Sequence, residues 1–190
     1  MMYNKKKSIR GVTMNITVYL GAYQGNDDKF KVAIKELGAF IGQRGDTLVY
    51  GGSKSGLMGL IADSVLASGG KVIGVEPQMF IEQELQHEGI DELIVTKDMP
   101  ERKAKMIELG EAFIAFPGGT GTLEEISEIM SLVSLELNSA PCILYNLDGY
   151  YDGLKALLNT MISYGLSTQE RQKGIYFANS ISDIEAILKK

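Results

Sequence analysis

The apolar positions of this chain follow two alternating rhythms. Short runs at 16–20, 48–50, 71–75, 112–116 and 142–145 are apolar on nearly every residue and rich in Val and Ile. Such runs mark strands buried on both faces rather than half-solvated hairpins. Between them the apolar residues recur at helical spacing, as in Phe30, Ile34, Leu37 and Ile41. This predicts helices over about 27–43, 56–67, 100–109, 120–135, 151–164 and 181–188. Short strands are expected at 93–96, on a sheet edge, and at 175–178. The polar stretch 78–89 has no clear period. Strands that alternate with helices form a parallel sheet covered on both faces, so the fold class is α/β, a single doubly wound, Rossmann-like domain over 14–190. Residues 1–13, with Lys5, Lys6, Lys7 and Arg10, read as a flexible basic tail.

Three of these strands run into glycine-bearing loops, at 21–25, 51–59 and 118–121. In a doubly wound sheet all three emerge at the carboxyl edge, where ligands bind. A glycine loop that opens a helix offers free amides to an anion. The third loop is the most informative, because Pro117-Gly118-Gly119-Thr120-Gly121-Thr122 is followed by Leu123-Glu124-Glu125. Phosphate and carboxylate repel, so one end of this segment is expected to hold a phosphate and the other to do acid chemistry. Adjacent helix residues point about 100° apart, so Glu124 and Glu125 do not share that task. Glu125 is the expected acid, and Glu124 reads as an ordinary N-terminal helix acid.

Composition narrows the function classes. The 190 residues are 45% hydrophobic and 23% charged, ordinary for a globular domain. A formal charge of -5 argues against a nucleic-acid binder. No apolar run reaches the length of a membrane span, and no apolar segment follows the basic tail, so a cytoplasmic protein is expected. One cysteine, Cys142, lies in an apolar run and reads as a buried strand residue; one histidine, His87, lies among polar residues and reads as a surface residue. These counts leave no basis for a metal site or a cysteine nucleophile. None of the loops ends in Gly-Lys-Ser/Thr, which excludes a P-loop, and none is a full dinucleotide fingerprint.

The segment Pro117 to Glu125 resembles the PGGxGTxxE signature of the Lonely Guy (LOG) family of cytokinin riboside 5'-monophosphate phosphoribohydrolases, often mislabelled lysine decarboxylases. The resemblance extends to Tyr50-Gly51-Gly52-Ser53-Lys54-Ser55-Gly56-Leu57-Met58-Gly59, to Asp98-Met99-Pro100-Glu101-Arg102-Lys103 and to Asp148-Gly149-Tyr150-Tyr151, in the family's order. It implies hydrolysis of the N-glycosidic bond of a nucleoside 5'-monophosphate, with Arg102 and Glu125 as catalytic residues. It implies substrate contacts from Glu88, Lys103, Gly118, Gly119, Thr120, Gly121, Thr122, Glu124 and Ser131, and from Gly51, Gly52 and Met58 of the second loop. It further implies a homodimer and no cofactor. The chain departs from the family after the first strand, where Leu20-Gly21-Ala22-Tyr23 stands in place of Cys-Gly-Ser-Ser. Two other readings compete: a nucleotide or molybdenum-cofactor carrier on the same fold, and a pyridoxal-phosphate decarboxylase. The decarboxylase requires a Schiff-base lysine with an acidic partner, a constellation the sequence does not offer.

Overall fold

The structure, a computed structural model, describes residues 13–83 and 85–189; the expected basic tail therefore lies almost wholly outside the described residues. These form strands β1 (Asn15–Tyr19), β2 (Thr47–Tyr50), β3 (Lys71–Pro77), β4 (Glu92–Thr96), β5 (Ala112–Ala115), β6 (Cys142–Tyr145) and β7 (Ile175–Ala178). They alternate with helices α1 (Asp28–Arg44), α2 (Gly56–Ala67), α3 (Gln78–Ile81), α4 (Met99–Leu109), α5 (Thr120–Ser134), α6 (Asp152–Ser163) and α7 (Ile181–Leu188).

All strand pairs are parallel, and the seven strands lie in the order β4-β3-β2-β1-β5-β6-β7. The chain starts at the centre with β1, works outward to β4, then returns to lay β5 against the other side of β1. The order reverses between β1 and β5, and a crevice opens at such a switch point. The strand at 93–96 is the sheet edge, as expected.

Each face of the sheet carries its own core. One joins Ile16, Val18, Leu48, Tyr50, Val72, Ile114 and Ile143 to α1, α2 and α7. The other joins Val49, Val75, Phe113, Leu144 and Met106 to α5 and to Leu158 of α6. Alternate residues of one strand thus serve opposite cores, which explains why the strand runs are apolar throughout. Each fully buried large side chain contributes roughly 1.5–3 kcal/mol. Cys142 is one of these core residues, and burial pushes its thiol up to about 12, as its apolar neighbours imply.

The polar stretch after β3 folds back across the second glycine loop. Lys54 N–H donates to the Leu85 carbonyl at 2.9 Å, and His87 N–H donates to the Gly52 carbonyl at 2.8 Å. His87 is not the surface residue its polar neighbours suggest. Its side chain is only 14% exposed; Nδ1 accepts from Gly89 N–H, so Nε2 carries the proton that faces Asp63 at 3.1 Å.

One glycine lets α2 start close against the loop after β1. Gly56 opens α2 with φ +57°, and a Cβ there would fall on the Ala22 carbonyl oxygen. Gly56→Ala combines left-handed backbone strain with that clash and is expected to cost roughly 2–4 kcal/mol, read as a lower urea midpoint at an unchanged slope.

Candidate active site

The crevice at the switch point is a cavity of ≈ 410 Å³. Its walls come from four carboxyl-end loops: Gly21, Ala22 and Tyr23 after β1; Gly51 and Ser53 after β2; Glu76, Phe80 and Leu85 at the end of β3 and beyond; Gly119 to Thr122 after β5. Met58 of α2, Met99 and Arg102 of α4 and Glu125 of α5 complete it.

Gly119 caps helix α5, which has no acid in its first turn. Its first-turn amides have no carbonyl partner within the helix, and the positive end of its dipole is left uncompensated toward the cavity. Two tyrosines fasten the loop from behind. The Tyr151 hydroxyl donates to the Phe116 carbonyl at 2.8 Å and the Tyr150 hydroxyl to the Gly118 carbonyl at 2.6 Å. With these carbonyls held away, the loop presents its N–H groups.

Arg102 reaches the cavity because the start of α4 is tightly fixed. Asp98 caps it by accepting from Glu101 N–H at 2.9 Å, Pro100 occupies the first turn, and the Glu101 carboxylate accepts from Lys97 N–H at 2.8 Å. From there the Arg102 guanidinium enters the cavity floor. Its Nε donates to the Val75 carbonyl at 3.0 Å and Nη1 donates to Glu125 Oε1 at 2.6 Å. Nη2 lies against Gly51, where a Cβ would collide with it. Both members of the ion pair are at least nine-tenths buried. Burial raises the Glu125 carboxyl above the usual carboxylate value, and the charge and hydrogen bond of Arg102 pull it back only in part.

A second acid shares the cavity. Glu76, at the end of β3, is 1% exposed, and its Oε2 has no hydrogen-bond partner. Burial pushes its carboxyl up to about 7, opposed only by the charge of Arg102. The sequence reasoning missed it, although an acid closing an otherwise apolar strand (Val72-Ile73-Gly74-Val75-Glu76) at the ligand edge of a parallel sheet was there to be noticed. Phe80, Leu85 and Met99 line the cavity without having been expected there, whereas Tyr23 and Ser53 lie in loops that the motifs had marked.

Of the expected site residues, the fold brings together Arg102, Glu125, Gly51, Met58, Gly119, Thr120, Gly121 and Thr122. Others it places elsewhere. Gly118 sits on the outer side of the loop beside Tyr150. Gly52, at φ +83°, backs onto the Glu76 side chain. Glu88 lies in an exposed turn. Lys103 points outward and pairs with Glu124 at 2.8 Å and Glu128 at 3.1 Å, so Glu124 is a surface helix acid. Ser131 lines a different, apolar groove between α5 and α6, with Leu123, Leu154 and Leu157. No lysine lines the active-site cavity among the described residues, so a pyridoxal Schiff base has no anchor there.

Comparison with known proteins places the chain in a family. Residues 58–189 match a family model described as possible lysine decarboxylase. The chain is 38% identical over 181 residues to a cytokinin riboside 5'-monophosphate phosphoribohydrolase of Rhodococcoides fascians, covering 95% of this chain and 91% of that one. It is 37% identical to such an enzyme of Arabidopsis thaliana, covering 89% of this chain and 79% of that one. Among solved structures, a molybdenum cofactor binding protein of Rippkaea orientalis shares the fold, with a TM-score of 0.69 at 22% identity over 94% of this chain and 96% of that one. Sequence signature, fold and extent of similarity together make this chain a member of the LOG family, the group that the lysine decarboxylase description also covers.

Proposed function

We propose that the protein hydrolyses the N-glycosidic bond of a nucleoside 5'-monophosphate, AMP or a cytokinin riboside 5'-monophosphate, to free base and ribose 5-phosphate. The observation that carries this reading is the buried Arg102–Glu125 pair, set at 2.6 Å in the floor of a cavity walled by the amino end of α5. The amides of Thr120, Gly121 and Thr122 take the 5'-phosphate. Glu125 lies about one helical turn further on, at the distance of the ribose rather than the phosphate.

Cleavage of such a bond builds positive charge on the sugar ring. The Glu125 carboxylate stabilises that charge and accepts a proton from the attacking water. Arg102 holds the carboxylate in place and keeps it available in the ionised form. The reaction transfers no electrons and no phosphoryl group, so it needs no cofactor. A nucleotide substrate fits a cytoplasmic enzyme.

Incubation with AMP and with isopentenyladenosine 5'-monophosphate, followed by chromatography, tests the proposal. Free base together with ribose 5-phosphate is the expected result. Tight binding without base release would point instead to a carrier, in keeping with the cofactor binding for which the Rippkaea protein is named.

A side chain added at Gly121 meets nothing within 4 Å, which is the space we assign to the phosphate. Gly121→Ala is therefore expected to leave stability unchanged or raise it by up to about 1 kcal/mol, while weakening AMP binding about tenfold, or 1.4 kcal/mol. Paired thermal melts and titration calorimetry give both numbers.

The family's dimer is part of the same proposal. Leu123, Leu135, Leu137 and Leu157 are exposed on the α5 and α6 side, a surface suited to a second copy. Light scattering at working concentration is expected to return twice the chain mass.

A further inference from the structure

We propose that Glu76 is the catalytic acid that protonates a ring nitrogen of the departing base, the second acid–base residue of the site beside Glu125. The inference rests on the phosphoribohydrolase reading above and extends it to the leaving-group side.

The cavity's titratable side chains, among the described residues, are Tyr23, Glu76, Arg102 and Glu125. Tyr23 is 90% exposed at the rim. Arg102 is committed to Val75, Glu125 and the wall at Gly51, and a guanidinium does not give up its proton. Glu125 is engaged by Arg102 and faces the sugar in the reading above. Glu76 remains: buried, bordering the same cavity, with Oε2 unbonded. A buried polar atom without a partner is costly in a native structure. Oε2 is closed in beside Gly52, so a base in the cavity meets the carboxyl from the side that borders the cavity.

Position supports the role. Strands β5, β1, β2 and β3 are consecutive in the sheet. Neighbouring strands are ~4.8 Å apart, so the end of β3 lies roughly 14 Å from the α5 loop. With the phosphate on that loop and the ribose at Glu125, the base extends toward β3. There Phe80, Leu85 and Met99 provide an apolar slot, and Glu76 is its acidic member.

Burial raises both acids, and they differ in how Arg102 opposes it. Glu125 receives both the charge and a hydrogen bond of Arg102, whereas Glu76 feels only the charge. The groups facing Glu76 are Arg102 from α4 and Tyr50 from β2, whose hydroxyl is buried, unpartnered and itself held neutral by burial and by Glu76; Glu125 faces the same cavity from α5. With its carboxyl at about 7, Glu76 is able to carry a proton near neutral pH.

The step balances. The carboxyl proton of Glu76 passes to a ring nitrogen of the base as the bond from C1' to the base breaks, and that bond's electron pair leaves with the base, now neutral. Water adds to C1' and gives its proton to Glu125. Proton exchange with solvent then recharges Glu76 and discharges Glu125, so the sum is nucleotide plus water to base plus ribose 5-phosphate.

The test uses two substrates, AMP and p-nitrophenyl ribofuranoside 5-phosphate, whose phenolate departs without protonation. Glu76→Gln is expected to slow AMP cleavage about 100-fold and the nitrophenyl substrate at least tenfold less than that. The wild type needs no variant to report: its kcat with AMP should fall as pH rises through about 7, and the nitrophenyl substrate should show no such alkaline limb. Equal losses on both substrates, or an alkaline limb that survives in the variant, would overturn the assignment and leave Glu76 a merely structural residue. A folded wild type that cleaves the nitrophenyl substrate with the same alkaline limb as AMP also overturns it. Failure of the wild type to release base from any nucleoside 5'-monophosphate removes the phosphoribohydrolase reading, and this proposal with it.

Discussion

Glu125→Gln is expected to lower base release from AMP by about 10³-fold while AMP still binds. The amide fills the same volume and keeps one hydrogen-bond acceptor for Arg102, so the cavity wall is preserved. What disappears is the negative charge opposite the sugar and the ability to take a proton from water. In the proposed reading the phosphate is held by the α5 amides, which the substitution does not touch, so the loss should fall in kcat with little change in KM. Single-turnover assays with calorimetry separate the two quantities. A variant that turns over at a near-normal rate removes Glu125 from the mechanism.

Arg102→Ala is expected to cost both activity and stability, and the stability loss should depend on pH. The variant leaves Glu125 buried without its cation, and breaking a buried pair in this way costs about 3–5 kcal/mol. Protonation of Glu125 relieves that cost. In the folded variant the carboxyl rises further above its unfolded value, since burial already raises it with Arg102 present. Below about pH 4.5 the acid is protonated in both states and little is lost. As pH rises the unfolded chain ionises first, so the deficit grows until the folded carboxyl ionises as well. Urea unfolding at several pH values should therefore show the variant closest to wild type in acid and furthest from it above neutrality. Adding Glu125→Gln to Arg102→Ala should recover much of the loss at high pH. A deficit that does not vary with pH would mean that the arginine acts through packing, by way of its bond to the Val75 carbonyl.

The architecture was readable because buried parallel strands leave little choice of residue. Phe113 and Ile114 serve opposite faces and both must be apolar, so the run is visible without knowing its neighbours. The glycine loop at the cavity was readable because it is local, with its glycines and the first turn of α5 contiguous in the chain. Arg102 was legible only through its resemblance to a family motif, since nothing in an isolated Arg-Lys pair says which residue enters the cavity. The fold decides it: Arg102 is buried, and Lys103, one position on, meets Glu124 and Glu128 at the surface. Ser131 shows the same effect of helix geometry. Six residues beyond Glu125 is about 600° of helical rotation, which turns its side chain to the α6 groove. Glu76 was not legible because one acid among 24 acidic residues carries no mark of burial. Its meaning comes from the return of the chain to β5, which makes the end of β3 one wall of the crevice.

That return also sets the timing of assembly. Asn15 at the head of β1 donates its N–H to the carboxylate of Glu111, 96 positions away, immediately before the pairing of β1 with β5 begins. During synthesis the strands β1 to β4 can associate as soon as they emerge, while one edge of the central strand waits for a partner not yet made. Parallel pairing over such separations is slow, and an unpaired apolar strand edge is sticky. Because the cavity lies across this seam, its walls come together only when β5 joins β1.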